Sequence, residues 1–313
     1  MSVFFEGSEK KLEVCIKSSS KSLRSYGRSA WAGVVEKSRA EILSEISNDK
    51  MDAYLLSESS LFVSDDRLIM ITCGKTTLAH ALIGVLEFVP KEDIEFVMYE
   101  RKREIFPEYQ RSNFYQDVKL IKEHFNGDAF RFGDEDDHHI YLFAAMESSF
   151  QPDRDDTTIE ILMHGIDREA AQIFEVGEGH NESSVEKSGV RNLLPGFKVD
   201  DYIFEPQGYS LNAIKGESYY TIHVTPQDIG SYVSFETNAV VEDMSELVKN
   251  VLDVFRPSSC DILFFQPSER NQKIVCDYSL KKQVQQNLQG YDIRYNHYYK
   301  KQVEAVRADK LDI

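Results

Sequence analysis

Tyr54-Leu55-Leu56-Ser57-Glu58-Ser59-Ser60-Leu61-Phe62-Val63-Ser64, running on to Leu68-Ile69-Met70-Ile71-Thr72, sets three short apolar runs around two polar breaks. The runs Tyr54–Leu56, Leu61–Ser64 and Leu68–Thr72 are too short for helices. The breaks between them leave no room for a crossover, so the strands must pair antiparallel. Ser57 to Ser60 then reads as an ordinary polar turn.

Outward from this hairpin, strand-like runs recur at Ile140–Ala144, Tyr219–Thr225, Tyr232–Glu236 and Ile262–Gln266. Helical periodicity appears at Thr76–Phe88, Phe114–His124, Arg168–Phe174 and Met244–Phe255, each with an apolar stripe and a polar face. Strand clusters separated by single helices predict an α+β fold, with antiparallel sheets and helices on their outer faces. Polar stretches at Ser18–Ser29, Gly133–His139, Gln151–Asp156 and Gly177–Ser188 read as surface loops, and no composition change divides residues 1–313 into domains. A faint echo of Tyr54–Ser60 leading to Ile71-Thr72-Cys73 in Tyr202–Glu205 leading to Thr221-Ile222-His223 points to two similar halves.

At 313 residues and 42% hydrophobic, the chain is long enough to bury its own core. Fifty-three acidic against 36 basic residues leave a formal charge of −17, which repels polyphosphate backbones and anionic membranes and favours small cations. Nucleic acid and membrane are therefore not expected as partners. Cys15, Cys73, Cys260 and Cys276 form no CxxC pair, so neither zinc nor a disulfide framework is indicated and a reducing cytoplasm is the expected compartment.

Gly74-Lys75-Thr76 imitates the end of a phosphate loop, but the required earlier glycine is Ile69. The run Asp134-Glu135-Asp136-Asp137-His138-His139 carries metal-capable side chains, yet adjacent carboxylates diverge and such runs usually solvate a loop. His80, His124 and His164 have no ligand partner at helical spacing. No metal is expected.

Phe4-Phe5-Glu6-Gly7-Ser8-Glu9-Lys10, Leu56-Ser57-Glu58-Ser59-Ser60-Leu61-Phe62-Val63 and Thr72-Cys73-Gly74 resemble the eukaryotic-type S-adenosylmethionine decarboxylases. The likeness continues in order through Gln151-Pro152-Asp153, Ile159–Met163, Gly208–Asn212, Thr221–Pro226 and Ser231–Thr237. It implies an internally duplicated four-layer αββα sandwich with two antiparallel sheets face to face, as single αβ units or (αβ)2 dimers. It also implies a proenzyme that cuts itself between Glu58 and Ser59 into a β chain, 1–58, and an α chain, 59–313.

A decarboxylase needs an electron sink, and no ordinary side chain supplies an electrophilic carbonyl. The resemblance implies a covalent pyruvoyl group made from Ser59, with no metal and no pyridoxal phosphate. It forms a Schiff base with the amine of S-adenosylmethionine, in the synthesis of spermidine and spermine. His223 matches the base that removes the Ser59 α-proton during processing, a task suited to imidazole; its ordinary alternative is a core-facing strand histidine. Ser210 matches a serine that assists processing. Cys73 matches the thiol that reprotonates the substrate, and Glu6 and Glu9 match acidic active-site residues.

Phe5 and Phe204 match an aromatic pair that sandwiches adenine beside a sulfonium, while Leu56 and Glu58 match substrate contacts. Gln227 stands where the family carries a ribose-binding glutamate and offers no bidentate carboxylate. One reading keeps the ribose on Gln227; the alternatives are an ornithine or arginine decarboxylase on the same scaffold, or a non-catalytic activating paralogue. The retained adenine-stacking residues favour the first. Glu13, Asp156, Thr158, Glu160 and Glu236 match the charge network that binds putrescine as effector in animal members, although Ile71 and Met98 replace a lysine and an aromatic residue near it.

Overall fold

A computed structural model of the chain describes residues 4–176, 182–268 and 274–301. Sixteen strands form two eight-stranded sheets among these residues. The first holds β1 (Lys10–Ile16), β2 (Ile42–Ser47), β3 (Asp52–Leu56), β4 (Ser59–Val63), β5 (Arg67–Thr72), β6 (Ile94–Lys102), β7 (Asp128–Gly133) and β8 (His139–Met146). The second holds β9 (Thr158–His164), β10 (Lys198–Ile203), β11 (Tyr209–Lys215), β12 (Ser218–Thr225), β13 (Tyr232–Thr237), β14 (Ser259–Pro267), β15 (Tyr278–Leu288) and β16 (Tyr291–Lys300).

The strand orders are β2-β3-β4-β5-β1-β6-β8-β7 and β10-β11-β12-β13-β9-β14-β16-β15. Each strand of the second sheet occupies the place of the strand eight earlier in the first, so the fold is duplicated. The echo in the sequence is displaced: Tyr202 lies on β10, whereas the counterpart of β3 is β11.

Helices α1 (Gly27–Lys37), α2 (Ala79–Val85) and α3 (Phe114–Ile121) cover the first sheet, and α4 (Arg168–Gln172), α5 (Glu182–Ser188) and α6 (Met244–Phe255) cover the second. Alternation decides which residue meets which layer. On β1, Leu12 and Val14 pack with Trp31, Leu82 and Val97 beneath the helices. Phe96, Met98, Leu162, Leu263 and Tyr295 pack between the sheets. On α6, Leu247, Val248, Val251 and Phe255 form the buried stripe, and the Asp243 carboxylate caps the first turn by accepting from Glu246 N–H at 3.0 Å.

The predicted α+β sandwich is thus the observed one. Two loop assignments change: α1 begins at Gly27 inside the stretch read as a loop, and α5 occupies the end of Gly177–Ser188, whose first five residues lie outside the described ones. No described helix is long and apolar enough to cross a membrane.

Candidate active site

Between β3 and β4 the chain reverses in two residues, with Leu56 opposite Ser59 and Ser57-Glu58 forming the turn. Ser57 fastens it to Glu41, donating its N–H to the Glu41 carbonyl at 2.8 Å and accepting the Glu41 N–H on its hydroxyl at 3.0 Å. Such turns favour Gly or Asn because they need positive φ. Here the conformation falls on Ser59, whose φ of +118° is strained for a residue with a side chain, at a cost of about 1–3 kcal/mol.

Ser59 is buried, and its hydroxyl donates to Cys73 Sγ at 3.3 Å. The carbonyl of Glu58 accepts the Cys73 N–H at 3.1 Å, and the Cys73 thiol approaches the same oxygen at 3.7 Å. The bond leading into a strained residue therefore has its carbonyl polarised by a donor, with a hydroxyl on the following residue. Burial, reinforced by the charge of Glu58, pushes the Cys73 thiol well above the usual range, so at neutral pH it holds its proton.

His223 lies across the sandwich on β12, facing inward. Its Nδ1–H donates to Glu9 Oε1 at 2.6 Å, an oxygen that also accepts from the Ser234 hydroxyl at 2.7 Å. The proton held at Nδ1 leaves Nε2 as the basic nitrogen, 2.8 Å from the hydroxyl of Ser60 and 3.1 Å from that of Thr221. The Ser60 hydroxyl donates to Asn212 Oδ1 at 2.6 Å, and Asn212 Nδ2 donates to the Tyr54 carbonyl at 3.0 Å. This network connects β12 to the strand that begins at Ser59. Ser210 sits directly opposite His223 on β11 and so shares its inward face.

Glu6 serves as an anchor: its carboxylate accepts the N–H groups of Ile105 at 2.9 Å and Phe106 at 3.1 Å, while its carbonyl accepts the Gly74 N–H at 2.8 Å. Gly74 has φ +61°, and a Cβ there would lie 2.7 Å from Glu58 Oε2 and 3.0 Å from the Phe5 ring. Glycine therefore lets the carboxyl and the aromatic ring both close on this stretch of backbone. Glu58 Oε2 is buried without a hydrogen-bond partner, and burial raises the carboxyl to about 7 against the pull of Lys10. Phe204 packs edge-on to Tyr202, with ring centres 4.8 Å apart.

Gln227 commits its amide to the backbone of Phe5. It accepts the Phe5 N–H at 3.1 Å and donates to the Phe5 carbonyl at 2.6 Å, clamping that backbone from both sides. A glutamate would lack the donor.

The inward faces of β1, β6, β9 and β13 bury a charged layer. Lys11 pairs with Glu160 at 2.9 Å and Glu236 at 2.8 Å; Lys102 pairs with Glu100 at 2.9 Å and Glu160 at 2.7 Å. Burial alone would raise Glu160, but the two ammonium groups hold it below the usual range. Arg67 grips Asp156 through two bonds at 2.7 and 2.6 Å and reaches Glu13 at 3.1 Å. Glu13, Asp156 and Thr158 line a cavity with Met98, Phe265 and Tyr291, of only about 10 Å³.

Reading the sequence alone missed Ser60, Asn212, Thr221 and Ser234, which hold the imidazole, and Lys10, Lys11 and Lys102. The alternation in Asn212, Thr221 and Ser234 of small polar residues with buried apolar ones was the available signal. The lysines look like solvent-facing strand residues until the sheet opposite is in place.

The family model described as Adenosylmethionine decarboxylase matches residues 2–307. The S-adenosylmethionine decarboxylase proenzyme of Dictyostelium discoideum is 38% identical over 277 residues, covering 81% of this chain and 72% of its own. That of Xenopus laevis is 37% identical over 270 residues, covering 81% of each chain. Among solved structures, the Trypanosoma brucei AdoMetDC-delta26 monomer is similar with a TM-score of 0.63 and 25% identity, covering 77% of this chain and 99% of that one.

Proposed function

The chain belongs to the adenosylmethionine decarboxylase family, and on that premise we propose that it cuts itself between Glu58 and Ser59 and decarboxylates S-adenosylmethionine with a pyruvoyl group derived from Ser59. The observation that carries the reading is the strained Ser59, buried beside Cys73, with the preceding carbonyl polarised by the Cys73 N–H. The relatives are named for S-adenosylmethionine rather than for ornithine or arginine, and the presence of Ser59, Cys73, Ser210 and His223 together disfavours a non-catalytic paralogue.

Ser59 Oγ attacks the Glu58 carbonyl carbon; the amide bond breaks and an ester replaces it, relieving the strained turn. The Cys73 N–H steadies charge on the carbonyl oxygen during the attack. His223, oriented by Glu9, takes the Ser59 α-proton, and the ester C–O bond breaks to release the Glu58 carboxylate. Hydrolysis of the remaining dehydroalanine frees ammonia. The pyruvoyl carbonyl that results supplies the electron sink for loss of carbon dioxide. Cys73, held as a thiol, can then give its proton to the substrate α-carbon.

Phe5, fixed by Gln227, presents its ring for adenine, and the unpartnered Glu58 carboxylate beside it supplies the negative charge that a sulfonium requires. Gln227 on this reading positions Phe5 rather than touching the ribose. Glu58 is ionised only above about 7. For fully processed enzyme, kcat/KM for S-adenosylmethionine is therefore expected to fall on the acid side as the Glu58 carboxyl takes up its proton, while Glu58→Gln removes that limb of the profile. An unchanged limb in the variant would reassign the titration.

Lys11, Lys102 and Arg67 already pair with the carboxylates at the effector positions, and a cavity of about 10 Å³ holds roughly one water, not a four-carbon diamine. Putrescine is therefore not required. Carbon dioxide release from S-adenosylmethionine should show a flat initial rate across a putrescine titration and far exceed release from ornithine or arginine. A rate that climbs with putrescine would show that the charged layer opens to admit it, and preferential release from ornithine or arginine would reverse the substrate assignment. A thiol that must keep its proton suits a reducing cytoplasm.

A further inference from the structure

Away from the reaction centre, the inward face of the second sheet carries a second cluster of chemistry-bearing side chains. Asp261 on β14 lies directly opposite His297 on β16, and His164 closes β9 two residues beyond Leu162, the neighbour of Asp261 on the other side. A third imidazole, His138, comes from the first sheet, out of the turn between β7 and β8. Two acidic residues of that turn pin it to β15 through ion pairs, Asp134 to Lys282 at 2.7 Å and Asp137 to Lys281 at 2.6 Å. His138 is left facing inward, 4.5 Å from the His164 ring and 4.2 Å from the His297 ring, centre to centre.

The two oxygens of Asp261 are used differently. Oδ1 accepts the Tyr295 hydroxyl at 2.8 Å and the His297 Nδ1–H at 2.5 Å. Oδ2 faces His138 Nδ1 and His164 Nε2, both at 3.3 Å. That spacing is longer than a typical charge-assisted hydrogen bond. It does equal the ligand-to-ligand edge of a tetrahedron with bonds of about 2.0–2.1 Å, which is about 3.3–3.4 Å. The three ligand atoms lie within 4.8 Å of one another, and His138 and His164 are partly exposed, which leaves a corner open to water. His297 and Tyr295 play the outer role usual around a ligating carboxylate, fixing one oxygen so that the other points at the metal.

We propose that His138 Nδ1, His164 Nε2 and Asp261 Oδ2 form a zinc site that joins the two sheets. Two imidazoles and one carboxylate suit Zn2+ better than Mg2+ or Ca2+, which take oxygen ligands. The site lies apart from the reaction centre. His223, Ser234, Leu162 and Asp261 follow one another across adjacent strands, so the metal lies about 14 Å, three strand spacings, from the catalytic imidazole.

Full-length protein is treated with a chelator, dialysed against Zn2+ and passed through gel filtration before its metal content and thermal midpoint are measured. Wild type should retain stoichiometric zinc and melt higher with it. His138→Ala, in a turn rather than a strand, should lose the retained zinc, and His297→Phe should weaken binding about 10–100-fold. Wild type loaded with Co2+ should show the visible bands of a tetrahedral nitrogen and oxygen site, a readout that needs no variant. Zinc retained equally by His138→Ala, wild type that holds none, or a cobalt spectrum dominated by thiolate charge transfer would each overturn the site.

Discussion

Ser59→Ala is expected to leave an uncut chain of 313 residues with no detectable carbon dioxide release. Without the hydroxyl nothing attacks the Glu58 carbonyl, and alanine has no leaving group whose elimination could generate the pyruvoyl carbonyl. Intact mass spectrometry checks both steps. Wild type should give fragments 1–58 and 59–313, the second lighter than a serine-terminated fragment by the mass of ammonia. A contaminating protease would still cut Ser59→Ala and would leave a free serine at the new terminus of wild type. Either result would remove self-processing. The variant should fold, because the Ser59 hydroxyl donates only one weak hydrogen bond, to sulfur.

His223→Ala should interrupt the same sequence one step later. The hydroxyl and the polarised carbonyl remain, so the ester forms, but no base removes the α-proton and the ester does not eliminate. Loss of a positioned base costs about 100- to 10,000-fold in rate. The accumulated species should be a chain of unchanged mass that hydroxylamine splits between residues 58 and 59, leaving serine at the new terminus. Normal processing in this variant would return His223 to the role of a core-facing strand histidine. Glu9→Gln should show a milder form of the same defect, since the amide oxygen can still accept from Nδ1 and orient the ring but carries no charge to steady the imidazolium formed when His223 takes the proton.

The fold was most legible where strands have one apolar face and one polar break, as in Tyr54 to Thr72, and where a helix shows a clean stripe, as in Met244–Phe255. β1 and β6 were missed for a physical reason. Lys10-Lys11-Leu12-Glu13-Val14 has the alternation of a strand that faces water on one side, and its charged face is in fact buried against Glu160 and Glu236 of the opposite sheet. Charge alone cannot distinguish a solvated face from a paired one. The long β15–β16 hairpin was missed because alternating Lys, Gln and Tyr residues carry little apolar signal.

What the sequence by itself determined was the hairpin at Ser57-Glu58, the α+β sandwich and, through collinear motifs, the family to which the chain belongs. Those depend on local period and on residue type, which are written in the chain. The tertiary structure decided what each candidate residue touches. It placed Glu9 on His223 across 214 positions, spent Gln227 on the backbone of Phe5 across 222, and set Lys11 and Lys102 among the buried carboxylates. It also gathered His138, His164 and Asp261 from separate strands and a turn. Such pairings arise only when two sheets close face to face, because distance along the chain then no longer limits which charges meet.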